Sequence, residues 1–295
     1  MYKDNIELDE WFKLVSQSYL APPVSFKNKT LPAFPSDLIQ ANTTGQSGVN
    51  TLQEAFVFYK DCINTFEILS KPVKENSKVL DFGVGWGRIA RFFLRDIPIE
   101  NIHGIDVTPE FTAICRETFQ SENFFNCQSH PPTNLEANHY DFIVGYSVFS
   151  HLSENACLAW MKEFSRVLAP GGIVAITTRG RPFFDFCESQ RKEQSGLQRL
   201  LQKMFGHNKP TGYLEALGMI FSDFDAARAS YDRGEFIHSN IKGVGGGGSL
   251  NTTFYGETFI PEAYARKAYE PFLKLEKFMY DSSYQSHPIM FFRKL

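Results

Sequence analysis

Short apolar runs alternate with stretches whose apolar positions recur at helical spacing through the middle of this chain, and that alternation predicts its fold. Val79-Leu80-Asp81-Phe82 runs into glycines at 83, 85 and 87 and then into residues 89–94, apolar at helical intervals, which reads as strand, tight turn and helix. Residues 101–106 form a second strand ending in an acid, followed by Thr108-Pro109-Glu110, a good helix start, with Phe111, Ile114, Cys115 and Phe119 in phase. Residues 123–127 and 140–146 are the third and fourth strands. A helix over 154–168 carries Ala156, Trp160, Phe164 and Leu168 and closes at Ala169-Pro170-Gly171-Gly172. The nearly continuous apolar run at 173–178 predicts a fifth strand buried on both faces. Strands and helices alternating in this way give an α/β fold, an open parallel sheet with right-handed crossovers.

The flanks depart from that rhythm. Residues 1–74 read as a helical and extended cap: a short amphipathic helix around 9–15, a stretch broken by Pro22, Pro23, Pro32 and Pro35, and a polar loop at 42–48. From Thr51, the positions Leu52, Ala55, Phe56, Tyr59, Ile63, Phe66 and Leu69 predict a long helix ending near Lys71-Pro72. Residues 75–180 are the core. Residues 181–260 hold two helical patterns, near 183–204 and 213–231, and then Gly245-Gly246-Gly247-Gly248, a hinge, a lid or a surface loop. This block is read as an insertion above the sheet that bears the substrate side. Residues 261–295 return to the core with a helix at 261–269 and two strands, 272–280 and 288–293, whose polar connection predicts an antiparallel pair.

Composition narrows the function. A chain of 295 residues allows a core of roughly 150 to 200 residues plus appendages. Its 29 phenylalanines suit an apolar cleft or interface as well as a core, which leaves a homodimer open. A net charge of −3 without Lys or Arg runs argues against a nucleic-acid partner. No stretch approaches the roughly 18 apolar residues of a membrane span, so no membrane partner is expected. The five cysteines are odd in number and widely spaced, as expected of reduced thiols in a cytoplasmic protein, and the polar start of the chain is unlike a signal peptide. No His/Cys/Asp spacing suggests a metal site.

In an open parallel sheet the ligand lies beyond the carboxyl ends of the strands, where Asp81, Gly83, Asp106, Cys127 and Tyr146 fall. The glycine turn lets a ligand approach the main chain and ends at a helix start with free N–H groups. A dinucleotide fingerprint would need glycine at 88, where the chain has Arg88, so pyrophosphate is disfavoured. Asp106 offers two acceptor oxygens to a ribose diol, or else caps the following helix. His151, just beyond the fourth strand, is a candidate general base or a structural histidine, with His130, His238, Tyr255 and Glu257 in reserve.

Asp81-x-Gly83-x-Gly85-x-Gly87 before a helix resembles the first motif of the class I S-adenosylmethionine-dependent methyltransferases. Residues 140–152 resemble that family's fourth motif, and Arg166-Val167-Leu168-Ala169-Pro170-Gly171-Gly172 resembles its helix-turn-strand R-V-L-K-P-G-G. The resemblance covers residues 75–180 and, loosely, the last 35. It implies a three-layer, Rossmann-like, doubly wound sheet of seven strands with an antiparallel final pair, and S-adenosylmethionine as cofactor. Asp106 would then hold the ribose, Val107 would pack on adenine, and Asp81 would attract the methionine ammonium. Gly83, Gly85 and Gly87 would form the cradle, with backbone N–H groups around Gly83 and Gly85 facing the carboxylate. Gln128 and Ser129 would stand where relatives read the adenine amino group, although the usual acid is missing there, and Tyr146 would complete the set. Methyl transfer needs chiefly alignment, with a base where the acceptor must lose a proton, so His151 and Tyr255 are the catalytic candidates. A small-molecule acceptor, a sugar or natural-product intermediate methylated on oxygen or nitrogen, is the expectation. Two rivals stay open: a nicotinamide-dependent oxidoreductase, against which Arg88 counts, and a non-catalytic cofactor-binding module, against which the intact Asp81 and glycines count.

Overall fold

In the computed structural model, which describes residues 6–26, 29–191, 212–241, 243–244 and 250–295, a helical cap precedes the sheet. Helix α1 (Leu8–Leu20) turns Trp11 and Val15 inward, and the Trp11 indole donates to the Phe92 carbonyl at 3.0 Å. A hairpin of β1 (Ser25–Phe26) and β2 (Lys29–Thr30) leads to α2 (Asp37–Thr44). Here the predicted polar loop at 42–48 is helical as far as Thr44. The Thr43 and Thr44 hydroxyls bond back to the carbonyls of Ile39 at 2.7 Å and Gln40 at 3.0 Å, which satisfies polar groups that otherwise favour a loop. Gly45, at φ +76°, ends the helix. Helix α3 (Gly48–Ile68) buries Leu52, Ala55, Phe56, Tyr59 and Phe66 of the predicted face, leaves Ile63 half-buried and adds Cys62.

The core follows the predicted alternation: β3 (Val79–Phe82), a single turn α4 (Ala90–Phe93), β4 (Ile102–Asp106), α5 (Pro109–Phe119), β5 (Phe124–Asn126), β6 (Tyr140–Gly145), α6 (Glu154–Val167) and β7 (Leu168–Thr177). The insertion contributes α7 (Pro182–Ser189), α8 (Tyr213–Leu217), α9 (Phe224–Asp232), β8 (Ile237–Ser239) and β9 (Glu257–Phe259), and the chain closes with α10 (Glu262–Ala268), β10 (Lys274–Met279) and β11 (Ile289–Arg293). The predicted helix at 213–231 is two helices, because Asp223 caps α9 by accepting the Ala226 N–H at 2.9 Å. Much of the pattern at 183–204 and the four-glycine run lie outside the described residues. Strand β9 was not predicted, since three residues are too short for a period.

The main sheet has the order β10-β11-β7-β6-β3-β4-β5. Strand β11 is antiparallel to β10 and β7, and the other pairs are parallel, which is the predicted seven-strand arrangement. Strand order reverses between β3 and β6, so the crevice above their carboxyl ends is the switch point. Alternate strand residues feed opposite layers. Val79, Phe142 and Phe291 pack with Trp11, Phe56, Phe66 and Phe92 beneath α1, α3 and α4. On the other face, Leu80, Ile143 and Phe292 pack with Trp160, Phe164 and Tyr269. A third cluster, with Phe184 stacked on Phe259 at 4.0 Å, gives the insertion its own apolar centre.

The glycine turn is left-handed at all three glycines, with φ of +71°, +52° and +81° at 83, 85 and 87. A Cβ on Gly87 would stand 2.3 Å from the Phe119 ring. Gly87→Ala is therefore expected to cost about 2 to 4 kcal/mol in a urea unfolding series, the left-handed strain adding to the overpacking.

Candidate active site

At the cofactor end, the strand-terminal acids are held by the main chain. One Asp106 oxygen accepts the Gly85 N–H and the other the Thr108 N–H, both at 2.9 Å, so the capping role is realised while each oxygen keeps a lone pair. Gly83 and Val84 donate to the Ile105 carbonyl at 2.9 and 3.0 Å, so the Gly83 and Gly85 N–H groups point into the protein instead of toward a ligand, a correction to the sequence reading. Asp81 lies buried under the turn and accepts the Ala90 N–H at 2.9 Å. Burial lifts its carboxyl to about 7 against that hydrogen bond, with Asp106 adding to the rise. Thr43 of α2 lies over Gly85, 3.4 Å from where a Cβ would stand, so the cap covers the loop.

Arg88, at the position of the missing third glycine, ties this loop to α3. Its guanidinium donates to the Thr51 hydroxyl at 2.9 Å and to Glu54 at 2.7 Å. Val107 is half-buried beyond β4, Gln128 is exposed, and the Ser129 carbonyl accepts the Trp160 indole N–H at 3.1 Å. His130 is exposed beside Ser129 and does not reach the crest network described next. Burial pushes the Cys127 thiol up to about 12, which makes it a poor nucleophile.

Three consecutive residues converge on His151. The Tyr255 ring stacks on the imidazole at 4.8 Å and 6°. The Gly256 carbonyl lies 2.8 Å from Nδ1, and a Glu257 oxygen lies 3.3 Å from the same nitrogen. A carbonyl can only accept, so Nδ1 carries a proton and Nε2 is the ring nitrogen these contacts leave free. Gly256 is required here because a Cβ would fall 2.2 Å from the Ser239 carbonyl.

Glu257 is fully buried and is also held by Arg179 Nε at 2.9 Å and the Tyr213 hydroxyl at 2.6 Å. Burial alone would raise its carboxyl, but Arg179 and His151 outweigh it and hold the group at about 2. Arg179 in turn donates to His287 Nε2 at 2.6 Å, and His287 Nδ1 faces the Tyr146 hydroxyl at 3.3 Å. Burial and the neighbouring Arg179 hold His287 well below its ordinary value, so it is neutral. His238 pairs with the Thr258 hydroxyl at 2.8 Å, and its Nε2 is buried without a partner. The structure thus brings together His151, Tyr255, Glu257 and, through Arg179, Tyr146. Arg179, Tyr213 and His287 were missed by sequence reading. Only Arg179 had a signal, a charge directly after a buried parallel strand. No group of three or more His, Cys, Asp or Glu suited to a metal occurs among the described residues, and no described helix is long and apolar enough to cross a membrane.

The donor set at the crest fits a hydroxyl-bearing cation. Asp106 retains acceptor capacity, and positive charge near Asp81 would relieve the cost of ionising it. Two opposite pH dependences follow. The Asp81 value lies above the ordinary 3.8, so the folded state holds that proton more tightly and stability falls as pH rises from about 4 to 7. Glu257 lies below its ordinary 4.5, so its contribution is full above that pH and is lost as pH falls toward about 2. Asp81→Asn, which keeps an oxygen for Ala90, is expected to raise stability at pH 8 by about 1 to 2 kcal/mol in urea melts and to remove the first slope.

Residues 79–172 match the family model of a methyltransferase domain. The N-terminal Xaa-Pro-Lys N-methyltransferase 1 of Xenopus tropicalis is 30% identical over 141 residues, 44% of this chain and 61% of that protein, so the chain spans less than two thirds of that relative's length. Similar solved structures include a Pyrococcus horikoshii protein, at 16% identity and TM-score 0.44 over 80% of this chain and 91% of that one. Another is an S-adenosylmethionine-dependent methyltransferase of Mesorhizobium loti, at 10% identity and TM-score 0.47 over 78% and 96%. Residues 79–172 are thus similar in sequence to a methyltransferase domain, and they form the centre of a Rossmann-like, doubly wound seven-stranded sheet.

Proposed function

We propose that the protein is an S-adenosylmethionine-dependent methyltransferase acting on an oxygen or nitrogen of a small molecule, with His151 as general base. The observation that carries this reading is the imidazole committed through Nδ1 to Gly256 and Glu257, which leaves Nε2 to take a proton beside the switch-point crevice. When bound, the cofactor supplies an electrophilic methyl group on a sulfonium. Asp106 would receive ribose hydroxyls, Val107 would pack on adenine, and Gln128 and Ser129 would edge it. Asp81 would act on the cationic end through its charge, since it is buried beneath the turn. Glu257 helps keep the His151 ring in one orientation. Tyr255, whose hydroxyl burial holds well above its ordinary value, serves as a stacking wall and not as an acid or base.

In this reading residues 1–74 and 181–260 form the acceptor side around the 75–180 core, and residues 261–295 complete the sheet. Five unpaired cysteines support a cytoplasmic setting. The name of the Xenopus relative favours a second reading, in which the acceptor is the N-terminal amine of a protein.

Calorimetry is expected to detect S-adenosylmethionine binding that Asp106→Ala abolishes, through loss of the diol acceptor and of the Gly85 anchor. Unchanged affinity in the variant would overturn the site. With isotope-labelled cofactor and cell extract, labelled methyl groups should appear in the metabolite fraction, and His151→Gln should slow incorporation about 100- to 10,000-fold. Label confined to protein N-termini would favour the second reading.

A further inference from the structure

A cleft of about 240 Å³ opens between α3 and the connection from β10 to β11. Its walls include Glu54, Phe58 and Asp61 of α3 together with Tyr146, Tyr284 and His287. Tyr146 and His287 also end the hydrogen-bonded chain that runs through Arg179 to Glu257 and His151, so the cleft is linked to the proposed base through those two side chains. We infer that this cleft holds a cationic, amine-bearing part of the methyl acceptor. The inference rests on the methyltransferase reading above and specifies its substrate class.

Charge bookkeeping along the walls supports a cation. Glu54 is matched by Arg88 at 2.7 Å and Glu257 by Arg179 at 2.9 Å, so those charges cancel in pairs. His287 is neutral for the reasons given above. Asp61 remains. It is half-buried, and its hydrogen bonds come from uncharged donors: the Gln285 amide at 2.6 Å and the Tyr284 hydroxyl at 3.5 Å. Among the described residues no Lys or Arg nitrogen lies within ion-pair distance of it: Lys277 and Lys60 act on it only from farther away, and Lys60 is turned to Asp9 at 2.8 Å. A partly desolvated carboxylate held only by neutral donors is costly unless a cation completes it. The rings of Phe58 and Tyr284 line the same space and add faces to which an ammonium is attracted, while the Tyr146 ring already takes the Arg88 guanidinium at 5.1 Å. An anion entering here would meet a carboxylate without a close cation, and a neutral group would leave it in that state.

The experiment compares three probes of one shape by calorimetry on the full chain, with and without S-adenosylhomocysteine: tyramine, its neutral analogue N-acetyltyramine, and the anionic desaminotyrosine. Tyramine should bind about ten-fold or more tighter than either analogue. Asp61→Asn should erase that ranking with S-adenosylhomocysteine affinity unchanged, and Asp61→Glu should retain it. Equal or reversed ranking, a ranking that survives Asp61→Asn in a folded protein, or no tyramine binding at about 10 mM would each overturn the assignment. If the ranking holds while S-adenosylhomocysteine fails to bind, the cofactor reading has failed and the cleft's preference for cations stands. The converse result rejects the cleft alone.

Discussion

The carboxylate of Glu257 is the constraint on which the crest of this protein depends. A fully buried charge is tolerated only with close partners, and these come from separate parts of the chain: Arg179 after β7, His151 after β6 and Tyr213 at the start of α8. One ion therefore docks the insertion onto the sheet, sets the plane and tautomer of an imidazole, and keeps Arg179 oriented toward His287. The apolar packing of Phe184 on Phe259 holds the insertion together internally, whereas the charge ties it to the sheet.

A second set of polar contacts shapes the other half of the crevice. Asp106 and Asp81 fasten the glycine turn at Gly85 and Ala90, and Arg88 fastens it to α3 through Thr51 and Glu54. These acids therefore carry structure as well as ligand capacity. Asp81 in particular is kept at a cost, since burial makes it reluctant to ionise. A stability deficit of that kind is common where a site must hold charge in readiness.

The sheet was legible in the sequence because each core strand is a buried run and each crossover helix has an apolar face. The glycine spacing and Arg88 likewise carried the distinction between a dinucleotide loop and this one. What escaped reading depended on tertiary partners. Thr43 and Thr44 look like loop residues until their hydroxyls find carbonyls one turn back. The Asp81 and Gly85 contacts join residues whose roles depend on the folded turn. His287 lies in a short polar stretch without periodicity, so nothing local separates it from a surface residue. His151 was visible by position, but its orientation depends on a tripeptide more than a hundred residues away, at 255–257.

That tripeptide sits in the appended block and not in the sheet that carries His151. Gly256 can present its carbonyl only because β8 and β9 press together at Ser239 with no room for a side chain. The block appended to the sheet is thus also the block that fixes the His151 ring. Exchanging that appendage would therefore free the imidazole along with it, so the two change together or not at all.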